Sequence, residues 1–263
     1  GWVMVLTLSI VWGGSFIFAR VAVLEIPPLS LVFLRVAIAA IILNAILFLR
    51  PTNHVHTGAM WKNFTIMGIV NNIIPFGLIF YGQLEIGAGL AAIVNAMTPI
   101  WTVLFAHFYT DDEKISTLKG IGVSLGFVGV AVLIGGEAMS GLSGSLLGQL
   151  SILAATISYG VAAVFGRRFA KVPAIESARG QLTMSSLLII PLVLIIDQPW
   201  QLSLPSGAAI ASTLALAIVC TAWAYLLFFK ILAEAGALNV MIVTFLIPPS
   251  AIIMGILILG ESL

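Results

Sequence analysis

The sequence predicts an all-α membrane protein with two halves of five helices, related by an inverted repeat around a central cavity, nine of the ten helices being visible. The composition is the first reason: 61% of the 263 residues are hydrophobic and only 8% are charged. A soluble domain carries about 25% charged residues. This chain has too little polar surface to face water, so its surroundings must be lipid. Long apolar runs and an internal repeat complete the prediction.

Nine apolar runs follow one another along the chain, each close to the roughly 20 residues that a helix needs to cross a bilayer. Inside lipid a helix satisfies its own backbone hydrogen bonds, and the runs are too long and too continuous for the alternating strands of a barrel. The predicted spans 1 to 9 cover, in order, residues 2–20, 29–49, 66–84, 89–109, 117–135, 146–166, 181–196, 209–229 and 238–259.

An internal repeat relates the two halves of the chain. "LEIGAGLAAIVNAMTP" (84–99) aligns with "AEAGALNVMIVTFLIP" (233–248) at a shift of 149, and this places Pro99 on Pro248. "WGGSFIFAR" aligns with "YGVAAVFGR" at a shift of 147, and this places Trp12 on Tyr159. Two segments repeated in the same order predict two units, residues 1–140 and residues 141–263.

The first unit holds five spans, so the second unit enters the membrane in the opposite orientation. Nine of the eleven Lys and Arg residues fall in loops on the side of the amino terminus, and the positive-inside rule makes that side cytoplasmic. A multi-pass protein of the inner membrane is expected. The repeat of span 5 would begin at 117 + 149 = 266, so a tenth helix is expected after residue 263.

Spans 1 and 2 combine a large aromatic residue, small residues and a charge. Trp12 is followed by Gly13 and Gly14, which would let a neighbouring helix approach closely while the indole projects between the halves. Arg35 lies about two turns into span 2 from the outer side. A long basic side chain at that depth can snorkel to the interface, and this is the expectation for Arg35.

Spans 3 to 5 contain costly polar residues and helix breakers. Asn72 and Phe76 lie on broadly one face of span 3, beside Pro75. Asn95 begins a polar face in span 4, and Pro99 is expected to kink that helix because proline cannot complete the helical hydrogen-bond pattern. The glycines of span 5, at positions 122, 126 and 129, form a packing face.

Spans 6 to 9 repeat these features. Tyr159 takes the place of Trp12 in span 6, and Trp223 and Tyr225 lie near one another in span 8. The single cysteine, Cys220, is interpreted as a packing residue. In span 9, Thr244 is the partner of Asn95, and Pro248 and Pro249 are expected to repeat the helix break of span 4.

The segments "WGGSFIFARVAV", "IPPLSLVFLRVAIAAIIL", "GLAAIVNAMTPIWTVLFAHFYTDDEKI" and "KGIGVSLGFVGVAVLIGG" resemble the EamA-type pattern of the drug/metabolite transporter superfamily. Within that superfamily the chain is similar to YddG-type exporters of aromatic amino acids. The resemblance implies ten helices in two five-helix repeats around a central cavity.

Two sets of residues are therefore candidates for function. Each of them could instead serve helix packing or interhelical hydrogen bonding. The predicted substrate-binding residues are Trp12, Asn72, Phe76, Asn95, Trp101, Tyr159, Trp223, Tyr225 and Thr244. The predicted hinge or gating residues are Pro75, Pro99, Pro248 and Pro249.

All ten acidic residues lie at or beyond helix ends, so the cavity is expected to suit an uncharged or zwitterionic solute. The favoured hypothesis is alternating-access export of small metabolites, with aromatic amino acids preferred. A multidrug or nucleoside and purine exporter and a membrane scaffold are the alternatives. The chain offers no nucleophile–base pair or metal-ligand set for an enzyme. No cofactor, metal or nucleic acid is expected, and the partners are a small-molecule substrate and lipid around a monomer.

Overall fold

The computed structural model describes residues 2–50, 57–111, 114–117, 120–126, 128–129, 132 and 143–261. Throughout these residues the regular structure is helical. Seven helices are long and apolar enough to cross a membrane, and a shorter apolar helix follows them. The all-helical membrane fold is confirmed. The predicted boundary between the two units, at residues 140 and 141, lies outside the described residues.

The helices coincide with the predicted spans in order and number along the described residues, but the helix of span 3 begins eight residues before the predicted residue 66 and the helix of span 7 begins seven residues before the predicted residue 181. In span 5 only part is described, and its residues 120–126 are helical; this segment is α5. The other bounds are α1 Trp2–Val23, α2 Pro28–Leu49, α3 Gly58–Glu85, α4 Ala88–Tyr109, α6 Ser143–Gly166, α7 Ala174–Asp197, α8 Gly207–Phe228 and α9 Val243–Leu259.

Helices α8 and α9 belong to one helical stretch, since residues Ala224–Met254 are helical throughout. The stretch nevertheless folds back on itself. The Sγ of Cys220 donates to the carbonyl of Val11, while the Oγ of Ser250 donates to the carbonyl of Ser9. In a straight helix, residues 220 and 250 would be about 45 Å apart. The two carbonyls to which they donate, those of Val11 and Ser9, are only about 3 Å apart along α1. Two spans therefore pass α1, as predicted.

The packing of the helices follows the predicted repeat. Helix α1 packs against α8 and α9, and its repeat partner α6 packs against α3 and α4. A β-carbon added to Gly13 would overlap Ser250, and one added to Gly160 would overlap Trp101. These two close contacts are equivalent, because 13 + 147 = 160 and 101 + 149 = 250. Helices α2 and α7, which are partners of one another, complete the arrangement by packing together.

Large apolar side chains on the outside of the bundle face the surroundings. Phe48 is 87% exposed and Leu257 is 78% exposed, whereas buried side chains such as Phe80 and Leu182 fill the interior between helices. A protein in water would leave such a broad apolar exterior unpartnered. The acyl chains of a bilayer are its natural partner.

Candidate functional site

A cavity of about 670 Å³ lies between the two halves of the bundle. Six of the nine predicted substrate-binding residues line it. They are Trp12, Phe76, Asn95, Tyr159, Tyr225 and Thr244. A binding role for each of them stays a prediction.

The other three predicted residues do not line this cavity. Asn72 is fully buried and its Nδ2 donates to the Oγ of Ser185 at 3.0 Å, which joins α3 to α7. Trp101 packs its backbone and β-carbon against Gly160 of α6. Trp223 is 43% exposed on the outside of the bundle. Spacing along the sequence identified the right helices here, but not the direction of each side chain.

The cavity walls are built from residues that the repeat relates in pairs. Trp12 and Tyr159 are equivalent at the shift of 147, and Asn95 and Thr244 are equivalent at the shift of 149. The shift of 149 also relates two further lining residues, because 76 + 149 = 225 makes Phe76 equivalent to Tyr225. Each half of the bundle therefore contributes matching aromatic and polar groups to one shared space.

Wide π-helical turns shape two of the walls. One turn covers Ile69–Ile73 in α3 and another covers Ala215–Trp223 in α8. In the second turn the hydroxyl of Thr221 donates to the carbonyl of Leu216, five residues back, at 2.8 Å. Such turns recur at functional sites because they redirect side chains and leave backbone groups to be satisfied locally.

Arg35 corrects the expectation from the sequence. It does not snorkel outwards but is 8% exposed and lines the cavity. Its Nε donates to the Oγ1 of Thr221 at 2.9 Å, and its guanidinium carbon lies 3.9 Å from the centre of the Phe76 ring. A hydrogen bond and a cation–π contact together hold the side chain inwards. The sequence gives the depth of Arg35 but not this direction.

Amide side chains supply the polar part of the walls. The Nδ2 of Asn71 donates to the Oε1 of Gln181 at 2.8 Å, and Asn71 also shares a hydrogen bond with Tyr225. The amide oxygens of Gln83 and Asn95 are buried and accept no hydrogen bond from the described residues. These two oxygens therefore lie in the cavity wall without a hydrogen-bond partner among the described residues.

The prolines are placed differently in the two halves. Helix α4 is interrupted between Asn95 and Thr98, directly before Pro99, and the Oγ1 of Thr98 donates to the freed carbonyl of Asn95 at 2.9 Å. Pro75 lies two residues after the end of the π-helical turn of α3. The helix continues through Pro248 and Pro249, so the expected repeat of the break at these prolines is wrong. A hinge role for the four prolines stays a prediction.

The cavity extends towards one end of the bundle only. Its lining reaches Phe169 and Val172 in the connection between α6 and α7. At the opposite end, which we call the far face, α1, α3, α7 and α9 finish and α2, α4 and α8 begin. Within the described residues, no connection at the far face contributes to the lining. Arg20 donates there to the carbonyl of Gln83, whose Nε2 donates to the carbonyl of Phe16 at 2.8 Å.

Three carboxylates hold the helices together at the far face, and we call these contacts the carboxylate caps. Glu25 accepts from the backbone nitrogen and the hydroxyl of Ser206, both at 2.6 Å, at the start of α8. Asp197 accepts in the same way from Ser30 in the first turn of α2, at 2.6 and 2.7 Å. Glu261 accepts from two backbone nitrogens at the start of α4, at 2.7 and 3.0 Å. Negative charge stabilises each helix start.

Comparison with known proteins identifies relatives over most of the chain. The uncharacterized transporter YoaV of Bacillus subtilis is 24% identical over 98% of this chain and 88% of its own length. YvbV, an uncharacterized transporter of the same organism, is 27% identical over 97% of this chain and 83% of its own length. The inner membrane transporter YedA of Escherichia coli is 28% identical over 61% of this chain and 51% of its own length.

A solved crystal structure also shares the fold. It aligns with 99% of this chain and 98% of its own length at a TM-score of 0.60, with 18% sequence identity. The profile of the EamA-like transporter family matches residues 1–135 and again residues 146–263. Because these two stretches cover nearly all of the residues, the chain is a multi-pass membrane protein that belongs to the EamA-like transporter family.

Proposed function

We propose that the protein exports small neutral or zwitterionic metabolites, amino acids with an aromatic or apolar side chain above all. The observation that carries this proposal is the cavity of about 670 Å³ between the two halves. Small-molecule sites typically measure about 300–1,000 Å³ and combine apolar walls with a few convergent polar groups. The lining of this cavity, with its paired aromatic residues and its amides, has that character.

The walls offer separate partners for the parts of such a substrate. Trp12, Phe76, Tyr159 and Tyr225 present aromatic surface, and a well-placed aromatic pair contributes about 0.5–1.5 kcal/mol beyond area burial. The amide side chains of Asn71, Gln83 and Asn95 in the lining would supply polar partners for the ammonium group. Weak contacts of this kind suit a carrier, because it must release its cargo on the other side.

Alternating access is the mechanism that we propose. In the described arrangement the cavity opens towards the connection between α6 and α7, while the carboxylate caps close the far face. With the amino terminus in the cytoplasm, this is a state that faces inwards and loads substrate for export. Inverted repeats support such a cycle, because two similar halves of opposite orientation can exchange conformations. The name of the relative YedA supports a location in the inner membrane.

The test is an efflux assay in proteoliposomes with four solutes: phenylalanine, threonine, a nucleoside and a cationic dye. We expect phenylalanine to be moved fastest. Replacing Trp12 by alanine should lower phenylalanine efflux about fivefold or more, which corresponds to about 1 kcal/mol of lost aromatic contact. Trp2→Ala is the matched control, since Trp2 lies on the same helix and is 65% exposed. Transport of the dye alone would make the protein a drug exporter, and transport of the nucleoside alone a nucleoside exporter.

A further inference from the structure

We propose that Arg35 anchors the carboxylate group of the transported substrate, so that the cavity selects molecules that carry a carboxylate. The inference rests on the proposed transport function and adds to it the chemical group that is recognised. It starts from a charged side chain, Arg35, in a cavity lining that contains no acidic residue among the described residues.

The guanidinium of Arg35 is held in a fixed orientation by two neighbours. The hydroxyl of Thr221 gives its proton to the carbonyl of Leu216, so its lone pair is directed to the Nε of Arg35. The ring of Phe76 covers one face of the guanidinium at 3.9 Å, and the ring of Phe80 lies 5.9 Å away. Thr221 therefore occupies the Nε of Arg35 and Phe76 covers one face of the guanidinium. The edge formed by Nη1 and Nη2 is left for a ligand.

That edge is chemically unused. Among the described residues, no acceptor takes a hydrogen bond from either terminal nitrogen of Arg35, and no carboxylate forms an ion pair with it. The planar fork of two N–H donors matches the two oxygens of a carboxylate, and such bidentate pairs are stronger than hydrogen bonds between neutral groups. A buried cation without a counter-ion is costly, and an entering carboxylate would relieve that cost.

The surroundings of Arg35 also fix how a substrate would lie. Tyr159 and Tyr225 are close enough to interact electrostatically with its charge, so the aromatic walls begin next to the anchor. The position related to Arg35 by the shift of 147 is Leu182, which is fully buried. The charge is therefore present in one half only. The three pairs of equivalent lining residues described above have one member in each half, but Arg35 has no such partner. Only the Arg35 side of the cavity would therefore hold a carboxylate.

This anchor predicts a selectivity series. A monocarboxylate and a zwitterionic amino acid with the same apolar group should both bind, because each presents one carboxylate to one guanidinium. The corresponding amine lacks that carboxylate and brings a positive charge near Arg35, so it should be rejected. A cationic dye should be rejected for the same reason.

The first experiment uses the unmodified protein in detergent and measures the midpoint of thermal unfolding with three ligands that share a phenyl group. We expect phenylalanine and 3-phenylpropionate to raise the midpoint and phenethylamine to leave it unchanged, since a ligand stabilises the state to which it binds. Equal or greater stabilisation by phenethylamine would overturn the proposal. The proposal would also be overturned if neither phenylalanine nor 3-phenylpropionate raised the midpoint.

The second experiment compares Arg35→Gln, Arg35→Lys and the control Arg50→Gln, a substitution at the exposed end of the same helix. Affinity for 3-phenylpropionate should fall about tenfold or more in Arg35→Gln, because a hydrogen bond to a charged group is lost. Arg35→Lys should retain part of the affinity through its charge, and Arg50→Gln should retain all of it. Unchanged affinity in Arg35→Gln would refute the anchor. Should that variant fail to fold, the series in the unmodified protein decides.

Binding and transport are measured separately, so the two proposals can fail independently. Carboxylate binding that depends on Arg35, without efflux of phenylalanine, would uphold the anchor and reject the proposed function. Efflux of phenylalanine that is equally fast in Arg35→Gln, together with unchanged carboxylate affinity, would uphold the function and reject the anchor.

Discussion

Gly13 and Gly14 are neighbours in the sequence, yet their surroundings differ. A β-carbon at Gly13 would lie 2.1 Å from the Oγ of Ser250 and 3.0 Å from the backbone nitrogen of Ala251. One at Gly14 would find its nearest neighbour, an atom of Phe18, at 3.7 Å. The first glycine is thus required for the contact between α1 and α9, and the second is not.

This difference predicts opposite results for two alanine substitutions. Gly13→Ala should lower the free energy of unfolding by about 1–3 kcal/mol, because a methyl group is forced into a filled space. Gly14→Ala has room for its methyl group and should leave stability unchanged or raise it, since alanine favours a helix by about 1 kcal/mol over glycine. The midpoint of thermal unfolding in detergent, compared with that of the unmodified protein, measures the stability of each variant. Equal midpoints for the two variants would contradict the close contact.

The sequence predicts which helix carries a residue more reliably than it predicts the direction in which the side chain points. Trp12 and Tyr159 were expected in the cavity because the repeat relates them, and both line it. Trp223 was expected there from its neighbours alone, and it faces outwards. Arg35 was expected to reach the interface, but Thr221 and Phe76 hold it inside. Such contacts join residues that are distant in the chain, so no local pattern reveals them.

Among the helices, α4 and α9 show when a proline interrupts a span. Before Pro99 the helix is broken, and the hydroxyl of Thr98 satisfies the carbonyl of Asn95. The helix continues through Pro248 and Pro249, where Ser250 bonds to the carbonyls of Ile247 and of Ser9 in α1. The sequence predicts both breaks from proline alone. The structure contains only the first of them among the described residues.

The break in α4 is the better candidate for a hinge. Pro99→Ala restores the missing backbone donor and favours a continuous helix by about 3 kcal/mol relative to proline, so we expect slower transport. Pro248→Ala should have the smaller effect, because its helix is already continuous. Initial efflux rates from proteoliposomes with matched protein content measure this. If both variants transport at the normal rate, the hinge hypothesis is wrong.

At the scale of the whole molecule, the carboxylate caps and the cavity belong to one conformation. Hydrogen bonds from Ser206 lower the pKa of Glu25 below its ordinary value of 4.5. A lowered pKa means that the charged form stabilises the capped arrangement at pH values above 4.5, and that this contribution is lost as the pH falls through the lowered pKa. Near neutral pH the Glu25 cap is therefore intact, and only its removal by mutation should loosen the far face.

Cys220 can report this loosening, because it is the single cysteine of the chain and lines the cavity. An impermeant maleimide should label it faster from the side of the α6–α7 connection than from the far face, as measured in vesicles of both orientations. Glu25→Ala should raise the rate from the far face at pH 7.5. Glu85→Ala is the control, since Glu85 ends α3 at the same face and its carboxylate caps no helix among the described residues. Equal rates from both sides in the unmodified protein would contradict the closed far face, and an unchanged rate in Glu25→Ala would show that this cap does not hold it shut.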